Sequence, residues 1–359
     1  MISKEFFKAL ELVANERGLE KEKILEIMGR GLLNAYKKVH NISENARIEF
    51  NEDKNQIILY ADYLIVLEPS NPGEISLKEA RLKRKTAKVG DTLTIKETPK
   101  DFGRIAASSA KQILTQGLKQ LEREKTYEIF KARENEMINT EIVSINKDFV
   151  TLDLGHNSET SLPRKELLRS DVVEFGSRLK VYITKVEMTT KGPKVFVSRN
   201  DRNLVKRLIE QVVPEIADGT VEIMGIARDA GDRCKVAVYS HDSNVDPVGS
   251  VVGVKGSRIK EVLDALQGEK IDIYEWSKDP IQLVLNALEP AKIVAVNPNK
   301  KKNQALVIVK DKDLTAAIGI KGQNAKLAAQ SCGWKIEIKS MQQAKEEGIR
   351  YRRLDVEEA

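Results

Sequence analysis

A Gly-x-x-Gly break between two apolar helical stretches occurs twice in this chain of 359 residues. The first lies in Pro247-Val248-Gly249-Ser250-Val251-Val252-Gly253-Val254-Lys255-Gly256-Ser257-Arg258, the second in Ala316-Ala317-Ile318-Gly319-Ile320-Lys321-Gly322-Gln323-Asn324. Both inner pairs join a branched aliphatic residue to a lysine. Both second helices lead into an alternating strand, Ile271-Asp272-Ile273-Tyr274 or Lys335-Ile336-Glu337-Ile338. One such break says little beyond a helix end, but two in matching settings are an internal repeat.

Two glycines three apart let the backbone make a tight connection free of side chains. A sugar-phosphate chain can then approach the loop amides and the N-terminus of the next helix. KH domains clamp about four nucleotides of a single strand with such a loop. The lead-in strengthens the resemblance: helix Leu204–Val213 with strands Thr220–Ala227 and Cys234–Ser240 before the first loop, and Ile281–Leu288, Ala291–Asn297 and Gln304–Lys310 before the second. This order is that of the prokaryotic-type (type II) KH fold. The expected RNA contacts are Gly253, Val254, Lys255, Gly256, Ser257 and Arg258 in one copy, and Gly319, Ile320, Lys321, Gly322, Gln323, Asn324 and Lys326 in the other. Lys255, Arg258, Lys321 and Lys326 would neutralise phosphates, with Ile271, Ile273, Ile336 and Ile338 beneath the bases. Residues 203–279 carry 10 basic and 14 acidic side chains, residues 280–345 carry 11 and 4. The second copy, with Lys300-Lys301-Lys302 on its hairpin tip, is therefore expected to supply more of the phosphate attraction; lysines there serve equally as edge-strand protection.

From Glu136 the hydrophobic period is two. Met137–Ser144, Phe149–Leu154, Leu179–Val186 and Lys194–Ser198 read as strands of a small closed β-barrel. Leu152-Asp153-Leu154-Gly155, Leu162-Pro163-Arg164-Lys165-Glu166 and Val197-Ser198-Arg199 give it the order of an S1 domain, an OB-type barrel that binds single-stranded RNA. Phe149 and His156 are candidates to stack on bases, Arg164 and Arg199 to meet phosphates. With so few rings, a barrel that mainly spaces its neighbours is the alternative reading.

Ahead of the barrel, Ile2, Phe6, Leu10 and Val13, then Ile24, Ile27, Met28, Leu32, Ala35 and Val39, recur at helical spacing on either side of Gly18. Ala46–Phe50 and Gln56–Tyr60 read as a hairpin around Asn51–Asn55, extended by Tyr63–Leu67. Helix Leu77–Lys83 and strand Thr92–Lys96 complete a small α+β unit. Asp101–Arg133 reads as one long helix, with Ile105, Ile113, Leu114, Leu118, Leu121 and Phe130 along its stripe. Residues 81–133 hold 14 Lys+Arg against 6 Asp+Glu, which suits a solvated face, a docking surface or a guide for nucleic acid. Met341–Ala359 lacks sustained periodicity and reads as a frayed tail. The expected multidomain α+β arrangement is thus 1–134, barrel 135–200, KH copies 201–278 and 279–345, and a charged tail 346–359.

A net charge of +6 and a pI near 9.0 favour a polyanionic partner. Cys234 and Cys332 stand far apart without a CxxC, so neither a disulfide framework nor a zinc site is supported. His40, His156 and His241 sit in separate units without a nucleophile at recognisable spacing, and no Walker-type loop occurs. An enzyme and a cofactor are therefore not expected. No apolar run approaches the roughly 18 residues of a membrane span, and Lys4, Glu5 and Lys8 interrupt any leader. The expected location is cytoplasmic, away from membrane.

The order of an N-terminal α+β unit, one S1 barrel and two tandem KH domains resembles the NusA family of bacterial transcription factors over residues 1–345. The most specific runs are Arg228-Asp229-Ala230-Gly231, Asp246-Pro247-Val248-Gly249, Gly268-Glu269-Lys270-Ile271-Asp272-Ile273, and Ala317 to Asn324 with Leu327-Ala328 and Gly333-Trp334 after it. The resemblance implies a monomer whose N-terminal unit docks on the RNA polymerase core near the RNA exit channel. Its S1 and KH domains would track nascent single-stranded RNA, modulating pausing, intrinsic termination and, with other antitermination factors, antitermination. Some members continue into acidic helical repeats that restrain the RNA-binding part. The sequence stops at Ala359 before any such repeat, so that restraint is not expected. The alternative is a general or ribosome-associated RNA-binding protein without polymerase contact. An exoribonuclease would need a larger core than residues 1–134 provide.

Overall fold

In this computed structural model residues 4–37, 46–51, 54, 56–97 and 102–354 are described. Ile2, Val39, His40, Asp101 and most of the Asn51–Asn55 turn lie outside them, as do the side chains of Phe6, Ala35, Ile105 and Leu114. The chain divides into two compact units, residues 1–129 with 188–193 and residues 130–187 with 194–359.

In the first unit, α1 (Lys4–Arg17) and α2 (Lys21–Lys37) precede β1 (Ala46–Asn51), β2 (Gln56–Val66), β3 (Glu74–Ser76), α3 (Leu77–Lys83) and β4 (Thr92–Glu97); α4 (Phe102–Ala132) follows. Leu10, Met28, Leu32, Leu59, Leu118 and Leu121 meet in one core, which is why the apolar stripes of three helices face the same sheet. The Tyr63–Leu67 stretch extends the sheet by lengthening β2 itself. One long strand pairs with β1 and β4 antiparallel and with β3 parallel. The Ser76 hydroxyl accepts from the Glu79 amide and starts α3.

The second unit opens with β5 (Met137–Ile145), β6 (Phe149–Asp153), β7 (Glu159–Pro163), β8 (Arg178–Thr189) and β9 (Gly192–Ser198), ordered β7-β6-β5-β8-β9, except that residues 188–193 of β8, β9 and their turn fall in the first unit. The Thr160 hydroxyl on β7 donates to the Val195 carbonyl on β9, drawing the two outer strands together into a nearly closed barrel. Strand β7 escapes the sequence reading because its inward positions are Thr160 and Leu162, so its period-two signal rests on one apolar residue.

Next come α5 (Arg202–Val212), α6 (Pro214–Ala217), β10 (Val221–Asp229), β11 (Arg233–Ser240), α7 (Pro247–Val252), α8 (Ser257–Ala265) and β12 (Lys270–Glu275). The second copy is α9 (Pro280–Leu288), β13 (Ile293–Asn299), β14 (Gln304–Val309), α10 (Leu314–Ile318), α11 (Gln323–Cys332) and β15 (Lys335–Ser340). In both sheets the first pair is antiparallel and the second parallel. The first sheet's outer face is covered by the second copy: Ala237 and Tyr274 belong to the second core, and the Tyr274 hydroxyl donates to Ser331 Oγ at 2.8 Å. Buried Lys235 donates to the Glu289 carbonyl at 3.0 Å; burial holds its pKa below the usual lysine value, against the pull of Asp272.

Gly225 on β10 lies where a Cβ would come within 2.0 Å of the Ser331 carbonyl oxygen, a backbone atom that cannot swing aside. Gly225→Ala is accordingly expected to cost about 1–3 kcal/mol of overpacking, read as a lower thermal midpoint. An unchanged midpoint would mean that α11 shifts off β10 freely.

The expected frayed tail is corrected through Leu354. Helix α12 (Met341–Glu346) starts at a capping box of Ser340 and Gln343. Ala344 is fully buried with Ala295 and Ile308, and Ile349 and Tyr351 pack on them. The Leu354 amide then donates to the Val294 carbonyl, so the segment straps β13. A six-residue helix is too short to show a period, which hid it from sequence.

Candidate nucleic-acid interface

The two Gly-x-x-Gly loops have one backbone geometry. Gly253, Lys255 and Gly256 take φ of 76°, 52° and 77°; Gly319, Lys321 and Gly322 take 78°, 53° and 76°. The first glycine of each loop is needed twice over. Beyond its positive φ, a Cβ on Gly319 would meet the Asn324 amide at 2.7 Å, and one on Gly253 would meet Arg258. A Cβ on Gly322 would meet nothing within 4 Å beyond its chain neighbours, so that side of the backbone is open to a ligand. Holding a lysine in the left-handed region costs about 1 kcal/mol or more. The conformation turns both tips outward: Val254 is 82% and Ile320 84% exposed, and Lys255 and Lys321 are exposed beside them. Each tip offers an aliphatic surface for a sugar or base and an ammonium for a phosphate.

The residues just after the loops divide by role. Ser257 and Lys326 are exposed. Arg258 is half-buried; its guanidinium donates to the Glu215 carboxylate and the Ser250 carbonyl. Asn324 is buried and donates to the carbonyls of Leu288 and Ala317. Both tie the helix after the loop back to the helix before it. The expectation of an RNA contact from the Asn324 side chain is therefore corrected, because its amide is turned into the core. Gln323 points to the first copy's hairpin, donating to Asp229 and Asp232. Ile271 and Ile273 pack against the first core, Ile336 and Ile338 against the second, so they are not bare faces beneath bases.

On the barrel, Phe149 is 37% exposed and stands opposite Pro163, next to exposed Arg164, whose guanidinium donates to the Asn146 carbonyl. His156 lies past the other end of β6, edge-on to Phe130. These three side chains do not form one patch. Arg199 is a correction: it is fully buried, donates to both Asp171 oxygens, and also to the carbonyls of Lys180 and Ala265. A guanidinium so enclosed cannot meet a phosphate; it joins the barrel to α8.

Beside it lies a group that sequence reading did not assign. Buried Arg228 donates to both oxygens of buried Glu269 at 2.8 Å, and to the carbonyls of Arg199 and Asp201. The Gly231 amide also donates to Glu269. The runs Arg228-Asp229-Ala230-Gly231 and Gly268-Glu269-Lys270 are thus two sides of one buried ion pair.

Among the described residues no group of His, Cys, Asp and Glu could hold a metal, and no helix is long and apolar enough to cross a membrane. Burial pushes the Cys234 thiol up to about 12 and raises that of Cys332, so neither is a ready thiolate.

An S1-type barrel joined to paired KH copies with open loops defines an RNA-binding protein. Family models match along the chain: NusA N-terminal domain at residues 5–124, S1 RNA binding domain at 131–198, NusA-like first KH domain at 199–276 and NusA-like second KH domain at 280–346. The transcription termination/antitermination protein NusA of Bacillus subtilis (strain 168) is 44% identical over 99% of this chain and 95% of its own length. That of Halalkalibacterium halodurans is 44% identical over 97% and 91%. The solution structure of the N-terminal domain of NusA from B. subtilis is 39% identical and covers 34% of this chain and 99% of its own, with a TM-score of 0.29. The chain belongs to the NusA family of transcription termination/antitermination proteins. These relatives are transcription factors by name, not enzymes.

Proposed function

We propose that this chain is a cytoplasmic, monomeric transcription elongation factor. In this reading residues 1–134 hold the RNA polymerase core, while the barrel (135–200) and the KH copies (201–278 and 279–345) hold nascent single-stranded RNA. The outcome is modulation of pausing, of intrinsic termination and, with other antitermination factors, of antitermination. The observation that carries the RNA half is the repeated loop, with its left-handed lysine and exposed aliphatic tip in both copies. Loop amides fix the path of the sugar-phosphate chain, and Lys255, Lys321 and Lys326 neutralise phosphates along it. The polymerase half is supported by the family and by the N-terminal domain match.

A pull-down of core polymerase on nuclease-treated material separates the two halves. The full chain and residues 1–134 are expected to retain polymerase without RNA. Retention by residues 135–359 alone would overturn the assignment of the docking surface, and retention by neither would favour a general RNA-binding protein.

A further inference from the structure

A cleft of about 530 Å³ opens between the hairpin tip of the first KH copy and the loop of the second, lined by Arg169, Asp229, Asp232, Lys270, Lys321 and Lys326 among others. Of the six basic residues that line it, Arg228 and Arg233 are held by Glu269 and Asp272; the other four suit a phosphate chain, whereas two carboxylates at the same place oppose it. The hairpin turn carrying them is fixed: the Asp232 amide donates to the Asp229 carbonyl, and the Lys270 amide to the Asp232 carbonyl. Behind the turn stands the buried pair of Arg228 and Glu269. Into the cleft comes Gln323, the first residue of α11, whose single amide nitrogen donates to Asp229 Oδ2 at 2.9 Å and to Asp232 Oδ2 at 2.8 Å. One NH2 group bridging two carboxylates carried on a fixed turn is the pattern that the exocyclic amine of a nucleobase can satisfy in its place.

We propose that Asp229 and Asp232 form a base-reading edge in this cleft, which accepts the exocyclic amino group of an unpaired cytosine, adenine or guanine in place of the Gln323 amide. Lys321 and Lys326 hold the flanking phosphates. Single-stranded bases are read on their Watson–Crick edges, and a carboxylate accepts from cytosine N4. Uracil carries the O4 carbonyl oxygen where cytosine carries its amine and has only the single N3–H donor, so it cannot bridge the two carboxylates and binds more weakly. The acidic tip thus converts a phosphate-attracting cleft, which alone would bind any sequence, into one that selects at one nucleotide. The inference rests on the RNA-binding reading above.

The test uses the full chain with fluorescently labelled oligocytidine and oligouridine of equal length, pyrimidines that differ at the amine. The unmodified chain is expected to prefer oligocytidine by about tenfold, the factor that one good base contact supplies. In D229A/D232A the preference falls to near unity, chiefly by loss of oligocytidine affinity. If both oligonucleotides tighten equally in that variant, the carboxylates only repel phosphate and the proposal is overturned. Q323A, which frees both carboxylates, is expected to keep or raise the preference. Its disappearance in a Q323A chain with unchanged circular dichroism would show that the amide reads the base, and would likewise overturn the proposal. Binding of both oligonucleotides by the unmodified chain without preference overturns the base-reading edge alone, whereas binding of neither overturns the RNA-binding reading with it.

Discussion

Aspartate at both inner loop pairs, V254D/K255D together with I320D/K321D, is expected to weaken single-stranded RNA binding by about a hundredfold or more while leaving the fold intact. The size follows from two lost charge-assisted contacts, each worth about 1.5–3 kcal/mol, before any repulsion from the new carboxylates. The salt dependence should also flatten, by about 0.7 in log K per log salt for each phosphate no longer neutralised. Folding is spared for local reasons. All four side chains are exposed, and aspartate enters the left-handed region held by Lys255 and Lys321 more readily than most residues. A salt series of RNA affinity, with circular dichroism alongside, reads both effects. Unchanged affinity in the folded variant would make the paired loops a scaffold and move the contact to the barrel or to Lys300-Lys301-Lys302.

Much of this architecture is legible in the sequence because its signals are local. The Gly-x-x-Gly repeat needs positive φ at fixed offsets, and both copies show it at the same three positions. Helical stripes such as Ile24, Met28 and Leu32 and alternations such as that of β6, with Val150 and Leu152 inward, are periods of the chain itself. Partners distant in sequence are what local signals do not carry. Arg199 closes a strand, a place where an arginine is mostly solvated, yet Asp171 and the Ala265 carbonyl enclose it. Asn324 sits beside a binding loop and still faces inward, because the Leu288 carbonyl at the end of α9 is left for its amide. Arg258 and Asn324 differ in chemistry but bond the preceding helix alike, through the carbonyls of Ser250 and Ala317. Proximity to a motif in sequence therefore separates loop residues that face solvent from those that hold the loop only when the tertiary partner is known.

The largest stability effect is expected at Arg228. Its guanidinium makes four hydrogen bonds, two to Glu269 and one each to the Arg199 and Asp201 carbonyls, and both members of the ion pair are buried. Arg228→Ala leaves the Glu269 carboxylate inside without its counter-charge, a change that costs about 3–5 kcal/mol. Replacing both partners by apolar residues is often nearly neutral elsewhere. Here the Gly231 amide and the Arg199 and Asp201 carbonyls would remain unpaired, so R228M/E269L is expected to recover only part of the loss. Trp276 and Trp334, the two tryptophans, both pack against the second KH core. Their fluorescence in a urea titration therefore reports the KH copies and not the N-terminal unit. An R228A midpoint close to that of the unmodified chain would mean that the remaining contacts, the Arg199 bond to the Ala265 carbonyl among them, suffice to join the barrel to the first KH copy. A marked fall would place the ion pair at the centre of that junction, and Asp229 and Asp232, one and four residues beyond Arg228 on the hairpin it anchors, would lose their fixed positions with it.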